Sequence, residues 1–326
     1  MEELISKKRK EPLLLEGLDA AIKRLPIGHK SLPSIESKLA SLKAGFGGEQ
    51  QLDKVFENYT FPMKHCLFHD ISLTSSTHFQ MDTLFITPFY AVIFEVKNIT
   101  GDLKVTENPP QLIRKLDTGQ VNGFKSPIAQ VQNNCELLRD WLYSRNTSLP
   151  IYGVVVLAYA KQRVELFDTN VPFLYPNTVP TYIRQLPTES PKLDDETFKK
   201  ITNDLCNSHR EFTPPPICMT YQIKRNEIRT GVTCPFCSFF GMKKYMKGWR
   251  CEGCNSTSPD AHKQAVRDWF LLFGGKMMNK DCRKFLHIEK QQTANRIMKS
   301  MELYTEGANR NRTYRMDFKT KHRERT

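Results

Sequence analysis

The sequence predicts an α/β protein with a mixed-sheet core, followed by a small cysteine-rich module and a basic helical module. Three observations lead to this fold class. Apolar runs of strand length alternate with amphipathic stretches between residues 44 and 160. Two Cys-x-x-Cys pairs lie within residues 234–254, and apolar residues at helical spacing recur in residues 279–304. A chain of 326 residues is long enough for two or three domains.

The composition excludes several classes of protein. No apolar run approaches the roughly 18 residues that a transmembrane helix needs. The first twelve residues have no apolar segment after their basic KKRK run, so they do not predict a secretory signal, and we interpret the run as a solvated chain start. The nine cysteines are an odd number and five of them are scattered, which favours a reducing cytoplasm over a disulfide framework.

The basic charge is confined to one part of the chain. The net charge is +13, yet residues 1–223 hold 25 basic and 25 acidic residues. Residues 224–326 hold 23 basic and 10 acidic residues, so the whole excess lies there. A basic region joined to a neutral one predicts a module that binds a polyanion.

Changes in composition, together with the positions of proline and glycine, divide the chain into five segments. They are a helical arm at 1–43, an α/β core at 44–160, a core extension with a proline-rich linker at 161–223, a cysteine ribbon at 224–260 and a basic helical domain at 261–326. The basic tail that ends the last segment is expected to be flexible.

The core is expected to contain a helix, three strands, a second helix and a fourth strand. The first helix is predicted to begin at Gly48 or Glu49, after a glycine turn. The segments HCLFHDISL, FQMDTLFI and AVIFEVKN follow as strands, and Thr-Pro-Phe-Tyr predicts a tight hairpin between the last two. SPIAQVQNNCELLRDWLYS predicts the second helix and IYGVVVLAYA the last strand, whereas polar residues 100–125 predict no element.

The strand AVIFEVKN carries an acid and a base in an otherwise apolar run. Glu95 and Lys97 are two residues apart and therefore point to the same face. Buried charges must be paired or must bind a metal, so an internal ion pair is one reading. The hairpin also brings Asp82 beside Glu95, and two close carboxylates repel unless a divalent cation such as Mg²⁺ lies between them. The nearby histidines, which are His65, His69 and His78, are expected to face solvent.

Two cysteine pairs predict a structural zinc ribbon. Cys234 and Cys237 are separated from Cys251 and Cys254 by thirteen residues, and four thiolates complete a tetrahedral site with no open position. Basic residues interleaved with Trp249 suit nucleic acid through phosphate contacts and base stacking; they are Lys243, Lys244, Lys247 and Arg250. The alternative is a ribbon that joins domains or binds protein.

Residues 279–304 predict two short helices with a turn near 287–289. This is the layout of a helix-turn-helix, in which the second helix enters the major groove. The second helix offers polar and basic side chains that suit contacts with bases and phosphates, namely Lys290, Gln291, Asn295, Arg296 and Lys299. An ordinary helical hairpin with a solvated basic face is the alternative.

The core segments together resemble the nuclease-related domain family, NERD, which is similar to PD-(D/E)xK nucleases. The resemblance spans residues 44–160. It rests on four ordered motifs, which fall on Gly48 and Glu49, on Gln80 and Asp82, on Glu95 and Lys97 with Asn98 and Gly101, and on Pro127 and Gln130. The family often has histidine after the aspartate, whereas this chain has Thr83. Some members also add a C-terminal zinc ribbon.

The resemblance implies a restriction-endonuclease-like fold and hydrolysis of phosphodiester bonds. It implies that Asp82, Glu95 and the Val96 carbonyl hold Mg²⁺ or Mn²⁺ and that Lys97 positions the nucleophile or stabilises charge. Glu49 would hold a second metal or a metal-bound water, and Gln130 would orient water or the phosphate backbone.

The resulting expectation is a magnesium-dependent deoxyribonuclease targeted by a zinc ribbon and a helix-turn-helix. The alternative is an inactive DNA-binding regulator or scaffold, and a ribbon that contacts protein remains a third reading. The expected partner is DNA, with RNA left open, and a helicase or other ATPase is a candidate partner. The expected location is the cytoplasm, at the nucleoid.

Overall fold

A computed structural model describes residues 4–160, 163–167, 169–308 and 311–318. The chain divides into two compact units. The first comprises the residues up to Lys10 together with Leu42–Phe212, and the second comprises Glu11–Ser41 together with the residues from Thr213 onward. The second division falls at the start of the proline run TPPPI.

The described residues form helices and strands in the following order. The helices are α1 (Leu13–Arg24), α2 (Leu32–Asn58), α3 (Pro127–Tyr143), α4 (Val179–Gln185), α5 (Asp195–Ser208), α6 (Ile217–Thr220), α7 (Ala261–Phe273), α8 (Asn279–Leu286) and α9 (Gln291–Ser300). The strands are β1 (Leu4–Lys7), β2 (Cys66–Thr74), β3 (His78–Ile86), β4 (Ala91–Lys97), β5 (Asp102–Thr106), β6 (Gln111–Lys115), β7 (Val121–Lys125), β8 (Ile151–Leu157), β9 (Val164–Glu165), β10 (Phe173–Leu174), β11 (Lys243–Tyr245), β12 (Gly248–Arg250), β13 (Thr257–Ser258), β14 (Met277–Met278), β15 (Leu303–Glu306) and β16 (Thr313–Met316).

The first unit is built on a mixed six-stranded sheet in the order β1-β2-β3-β4-β8-β10. The β2-β3 and β3-β4 pairs are antiparallel, whereas β4 and β8 are parallel and α3 connects them. Because β4 is covered on both faces, its side chains alternate between two cores. Ala91 and Ile93 pack with residues of α3, and Val92 and Phe94 pack with Phe56 of α2. The predicted mixed α/β core, with its hairpin between β3 and β4, is confirmed.

The first core helix begins earlier than predicted. Helix α2 starts at Leu32 and passes through the glycine-rich stretch that was interpreted as a turn. Ile35 and Leu39 are both buried, and because they are four residues apart they lie on one face of the early turns. Glycine lowers helix stability by only about 1 kcal/mol relative to alanine, so this packing outweighs the cost of three glycines.

Residues 100–125, for which no element was predicted, form three strands. β7, β6 and β5 pair in that order and β9 completes a four-stranded sheet. Only a few of their side chains are buried, such as Leu103 and Leu112, so the apolar pattern in the sequence is weak. The segment 1–43 is also not uniformly helical, because Leu4–Lys7 is a strand that pairs in parallel with β2.

The second unit contains two small sheets and a group of helices. β11, β12 and β13 form an antiparallel sheet around the cysteine pairs, and β14, β16 and β15 form another beside α8 and α9. A buried ion pair between Arg24 of α1 and Asp268 of α7 joins two of its helices, with Nη2 and Oδ2 2.8 Å apart. The predicted helices near 279–304 are confirmed. The tail was expected to be flexible throughout, but Thr313–Met316 pairs with two strands.

Candidate metal and nucleic-acid sites

The site in the first unit lies where β3 and β4 separate. The ladder between them runs from Ile86 opposite Ala91 to Thr83 opposite Phe94. The next position along each strand is Asp82 on β3 and Glu95 on β4. The Val96 N–H donates a hydrogen bond to the Asp82 carboxylate rather than to a backbone carbonyl, with N and Oδ2 2.8 Å apart. The end of the ladder therefore places two acidic side chains beside the same peptide.

Lys97 and Gln130 complete this face of β4. The Lys97 ammonium donates to Glu95 Oε1 at 2.6 Å and to Gln130 Oε1, on the first turn of α3, at 3.1 Å. Glu95 is 1% exposed, and its second oxygen, Oε2, is buried with no hydrogen-bond partner among the described residues. Burying an unpartnered carboxylate oxygen is costly, so this oxygen is a candidate metal ligand.

The electrostatics of the site favour a bound cation. Burial and the neighbouring charge of Asp82 raise the pKa of Glu95 to about 8. The same two causes raise the pKa of Glu49 to about 7, and burial raises the pKa of Asp82. Clustered carboxylates with raised pKa values are stabilised in their charged form by a hard divalent cation with oxygen ligands. The donor set of Asp82 and Glu95 therefore fits Mg²⁺ or Mn²⁺.

Glu49 approaches the site from α2, whose backbone passes close to the side chain of Asn98. A Cβ on the preceding residue, Gly48, would lie 2.6 Å from the Cβ of Asn98, so only glycine allows this approach. Asn98 in turn donates from Nδ2 to the Ala44 carbonyl at 2.7 Å. Among the described residues, however, the ligand oxygens of Glu49, Asp82 and Glu95 do not all lie within 4.8 Å of one another. Glu49 is therefore adjacent to the other two carboxylates without closing a three-carboxylate cluster with them.

Arg9 holds Glu49 in place, and the sequence did not predict this role. Its guanidinium lies 2.7 Å from Glu49 Oε2 and 2.8 Å from Asp53 Oδ2, and it donates to the Asp82 carbonyl at 2.8 Å. The arginine side chain is 4% exposed, although it belongs to the KKRK run that was interpreted as solvated. One signal was present in the sequence. Glu49 and Asp53 are acidic residues four apart on one helix, a spacing that is destabilising without a cation nearby.

His65 and His69 are buried, so the expectation that they face solvent is wrong for both, whereas His78 is exposed as expected. His69 lies beside this network. It is 3% exposed, and its Nδ1 lies 3.0 Å from Asp53 Oδ1 and 3.2 Å from Thr83 Oγ1. Thr83 also accepts from Arg9 Nη2 at 3.1 Å. Thr83 therefore belongs to a buried polar network beside the site.

Comparison with protein families matches residues 44–158 to the nuclease-related domain, NERD. This stretch is a nuclease-related domain. No curated protein and no solved structure matches the chain. The residues predicted for the site lie on four elements of this domain, with Glu49 on α2, Asp82 on β3, Glu95 and Lys97 on β4, and Gln130 on α3. The predicted resemblance is confirmed for this part of the chain.

The four cysteines outside the nuclease-related domain fit zinc. Their Sγ atoms all lie within 4.8 Å of one another, with Cys234 and Cys254 3.7 Å apart and Cys237 and Cys251 3.5 Å apart. A tetrahedral zinc ion with Zn–S bonds of about 2.3 Å separates its sulfur ligands by roughly 3.8 Å. The four thiols are therefore spaced as a closed zinc site requires.

Most of the predicted nucleic-acid contacts are exposed side chains. This holds for Lys243, Lys247, Arg250, Lys290, Gln291, Arg296 and Lys299. Lys244 is half-buried and donates to the Tyr245 and Gly248 carbonyls at 2.6 and 3.0 Å. Asn295 is half-buried and accepts from Asn279 Nδ2 at 2.7 Å, so it joins α9 to α8.

Trp249 does not offer the stacking surface that the sequence suggested. Its side chain is fully buried, and its indole N–H lies 3.1 Å from Nδ1 of His262. The aromatic residue therefore packs the ribbon against α7, and the basic residues remain as the part of the ribbon that suits nucleic acid. Among the described helices, none is long and apolar enough to cross a membrane.

Proposed function

We propose that the protein is a magnesium-dependent nuclease that hydrolyses DNA phosphodiester bonds. The observation that carries this proposal is the arrangement at the end of the β3-β4 ladder. There, Asp82 and Glu95 flank one peptide, Glu95 Oε2 has no partner among the described residues, and Lys97 lies between Glu95 and Gln130. Mn²⁺ is the alternative ion for the same oxygen ligands.

Each residue has a role that its position supports. Asp82, Glu95 and the Val96 carbonyl would hold the metal, which when bound supplies Lewis-acid stabilisation of the charge that develops on the phosphate. Lys97 presents a positive charge at the same place, where it stabilises the additional negative charge of the transition state. Gln130 fixes the lysine ammonium through its Oε1 and leaves its Nε2 group to orient water or a phosphate oxygen.

Glu49 has a supporting role in this proposal. Because its Oε2 is bound by Arg9, only its other oxygen is available to a second metal or to a water at the edge of the site. We propose that the zinc ribbon and the α8–α9 pair supply most of the DNA affinity, which would place the protein at the nucleoid. The excess positive charge of residues 224–326 supports the assignment of DNA binding to this part of the chain.

A second candidate is a DNA-binding regulator that has no nuclease activity. One observation favours it. Arg9 already neutralises part of the acidic network, as a site without metal would require. Both candidates bind DNA, so only cleavage separates them.

The test is cleavage of supercoiled, linear and branched DNA by the full chain in Mg²⁺, Mn²⁺ or EDTA. Wild type is compared with Glu95→Ala and Lys97→Ala. The matched controls are Glu165→Ala and Lys104→Ala, which break an exposed ion pair of the same chemistry, with Nζ and Oε1 2.8 Å apart. Metal-dependent nicking that is lost in both site variants and retained in both controls supports the nuclease. DNA binding without cleavage under all these conditions supports the regulator.

A further inference from the structure

The elements from α7 to β16, which we call the C-terminal module, follow one another in the order of a winged helix-turn-helix. Helix α7 is followed by β14, α8, α9 and the β15-β16 hairpin, and the sheet order is β14-β16-β15. These elements pack on one another, because α7 contacts α8 and β16, and α8 contacts α9 and β14. Buried apolar residues lie on several of them, including Val266, Trp269, Phe285, Leu286, Ile297, Met298 and Tyr314. The module therefore presents α9 and the hairpin from one folded body.

The turn between α8 and α9 fixes the direction of the second helix. His287 ends α8 in the left-handed conformation, with φ 56° and ψ 50°, and the Ile288 N–H bonds to the Arg283 carbonyl at 2.9 Å. Asn279 at the start of α8 donates to the Gln291 carbonyl at 3.0 Å. A second helix held at both its turn and its first residue is the rigid element that a helix-turn-helix places in the major groove.

The outer face of α9 is basic and unpaired. Gln292, Arg296 and Lys299 are four and three residues apart, so they lie on one stripe, and all three are exposed. The opposite face is buried through Ala294 and Ile297. Neither Arg296 nor Lys299 forms an ion pair with a carboxylate in the part of the chain that the structure describes.

The zinc ribbon is attached to the same module at three points. Trp249 of β12 bonds to His262 of α7, the Gly231 N–H donates to the Phe285 carbonyl at 2.7 Å, and Thr230 Oγ1 lies 2.7 Å from His287 Nε2. The last two contacts lie at the end of α8, next to the turn into α9. The ribbon is therefore held in place by α7 and by the end of α8 rather than by a flexible linker.

This attachment places the ribbon hairpin that carries Lys244 and the helix α9 that carries Arg296 in one folded module, where the two positive charges interact. Burial first, and then the positive charge of Arg296, lower the pKa of Lys244. Two like charges brought together without a carboxylate partner repel, and an anion between them removes the repulsion. A DNA phosphate is such an anion.

We propose that the ribbon hairpin and α9 form one surface for duplex DNA. In this surface α9 lies in the major groove, while Lys244 and Arg296 bind the same stretch of phosphate backbone. A duplex is favoured over a single strand because a rigid helix fits the major groove and because the tryptophan of the ribbon is buried and offers no stacking platform. The inference rests on the DNA-binding half of the proposed function and is independent of cleavage.

The test uses the full chain carrying Glu95→Ala, so that cleavage does not affect the binding measurement. Fluorescence anisotropy measures the affinity for a labelled 25-base-pair duplex and for the single strand, at several salt concentrations. The variants are Lys244→Gln, Arg296→Gln and both together. Because Lys244 also donates to two ribbon carbonyls, Lys247→Gln, at an exposed position, is a second ribbon variant, and the zinc content of each is measured. Lys200→Gln, an exposed lysine on α5, is the charge-matched control.

The proposal predicts that the duplex binds more tightly than the single strand. Each single variant on the surface is expected to lose about tenfold in affinity and to reduce the slope of log K against log salt by about 1. The double variant is expected to lose less than the product of the single losses, because both residues bind one stretch of backbone. Lys200→Gln is expected to bind as the parent does.

Three results would overturn the inference. They are equal affinity for duplex and single strand, a loss in the α9 variant with none in either zinc-loaded ribbon variant, and losses in the control as large as those on the surface. Failure of cleavage by the wild type, with these binding results intact, would overturn the nuclease and leave the surface in place.

Discussion

Arg9 binds Glu49 with Nη1 and Oε2 2.7 Å apart, and the same guanidinium reaches Asp53 and the Asp82 carbonyl. The contact ties the end of β1 to α2 and to β3 at the edge of the candidate metal site. Glu49 and Asp53 are two carboxylates on one helix face, so the arginine provides the positive charge that they would otherwise lack. The acidic network can therefore fold before a metal binds.

Replacing Arg9 should be among the most destabilising single changes in the first unit. Arg9→Met leaves two partly buried carboxylates without a partner, and we expect a loss of about 3 kcal/mol in the free energy of unfolding. Urea denaturation in EDTA measures this loss. Lys8→Met, at an exposed neighbouring position, is the control and should change stability little. Equal stability of the two variants would show that Arg9 does not hold the network.

The pH dependence of stability should reveal the raised pKa of Glu95. Its folded pKa of about 8 lies above the ordinary carboxyl value of about 4.5, so the unfolded chain loses the proton first as the pH rises. Without divalent metal, the contribution of this group is fully present below the unfolded pKa. It decreases by up to about 1.4 kcal/mol per pH unit until the pH reaches the folded pKa.

Urea denaturation in EDTA at pH 5, 6, 7 and 8 checks this expectation. Glu95→Gln has no proton to lose at this position and should show a smaller decrease across the range. Mg²⁺ should restore stability to the wild type at pH 8 and have a smaller effect on the variant. A wild-type profile that coincides with that of Glu95→Gln would contradict the assignment.

The residues that could be predicted from the sequence are those whose relation is local. Glu95 and Lys97 share a face because strands alternate, and a short hairpin brings Asp82 opposite Glu95. Arg9 could not be predicted in this way, since its partners lie 40 and 44 positions away in the chain and depend on the pairing of an edge strand. The β5–β7 strands were missed for a different reason, because a sheet with few buried side chains leaves little apolar periodicity.

Gly48 is expected to respond to substitution differently from its neighbours on the same helix. An added Cβ at Gly48 would collide with Asn98, whereas at Gly45 and Gly47 it would meet nothing within 4 Å. We therefore expect Gly48→Ala to destabilise by about 1–3 kcal/mol and to reduce any Mg²⁺-dependent cleavage, because it displaces Glu49. Gly45→Ala and Gly47→Ala should stabilise by about 1 kcal/mol. Similar effects at all three positions would exclude the close approach between α2 and β4.

Removal of zinc should separate DNA binding from the integrity of the nuclease-related domain. The ribbon has short strands and few buried side chains of its own, so the free energy of zinc binding contributes directly to its folding. Cys254→Ser should lower the zinc content from one ion per chain and weaken duplex binding, because unfolding of the ribbon removes its lysines from the proposed DNA surface. Cys206→Ser, on α5 and outside the cluster, is the matched control and should retain both properties. If Cys254→Ser lost its zinc and still bound duplex DNA with the salt dependence of the wild type, the ribbon would have no part in the DNA surface, and α9 alone would account for the affinity.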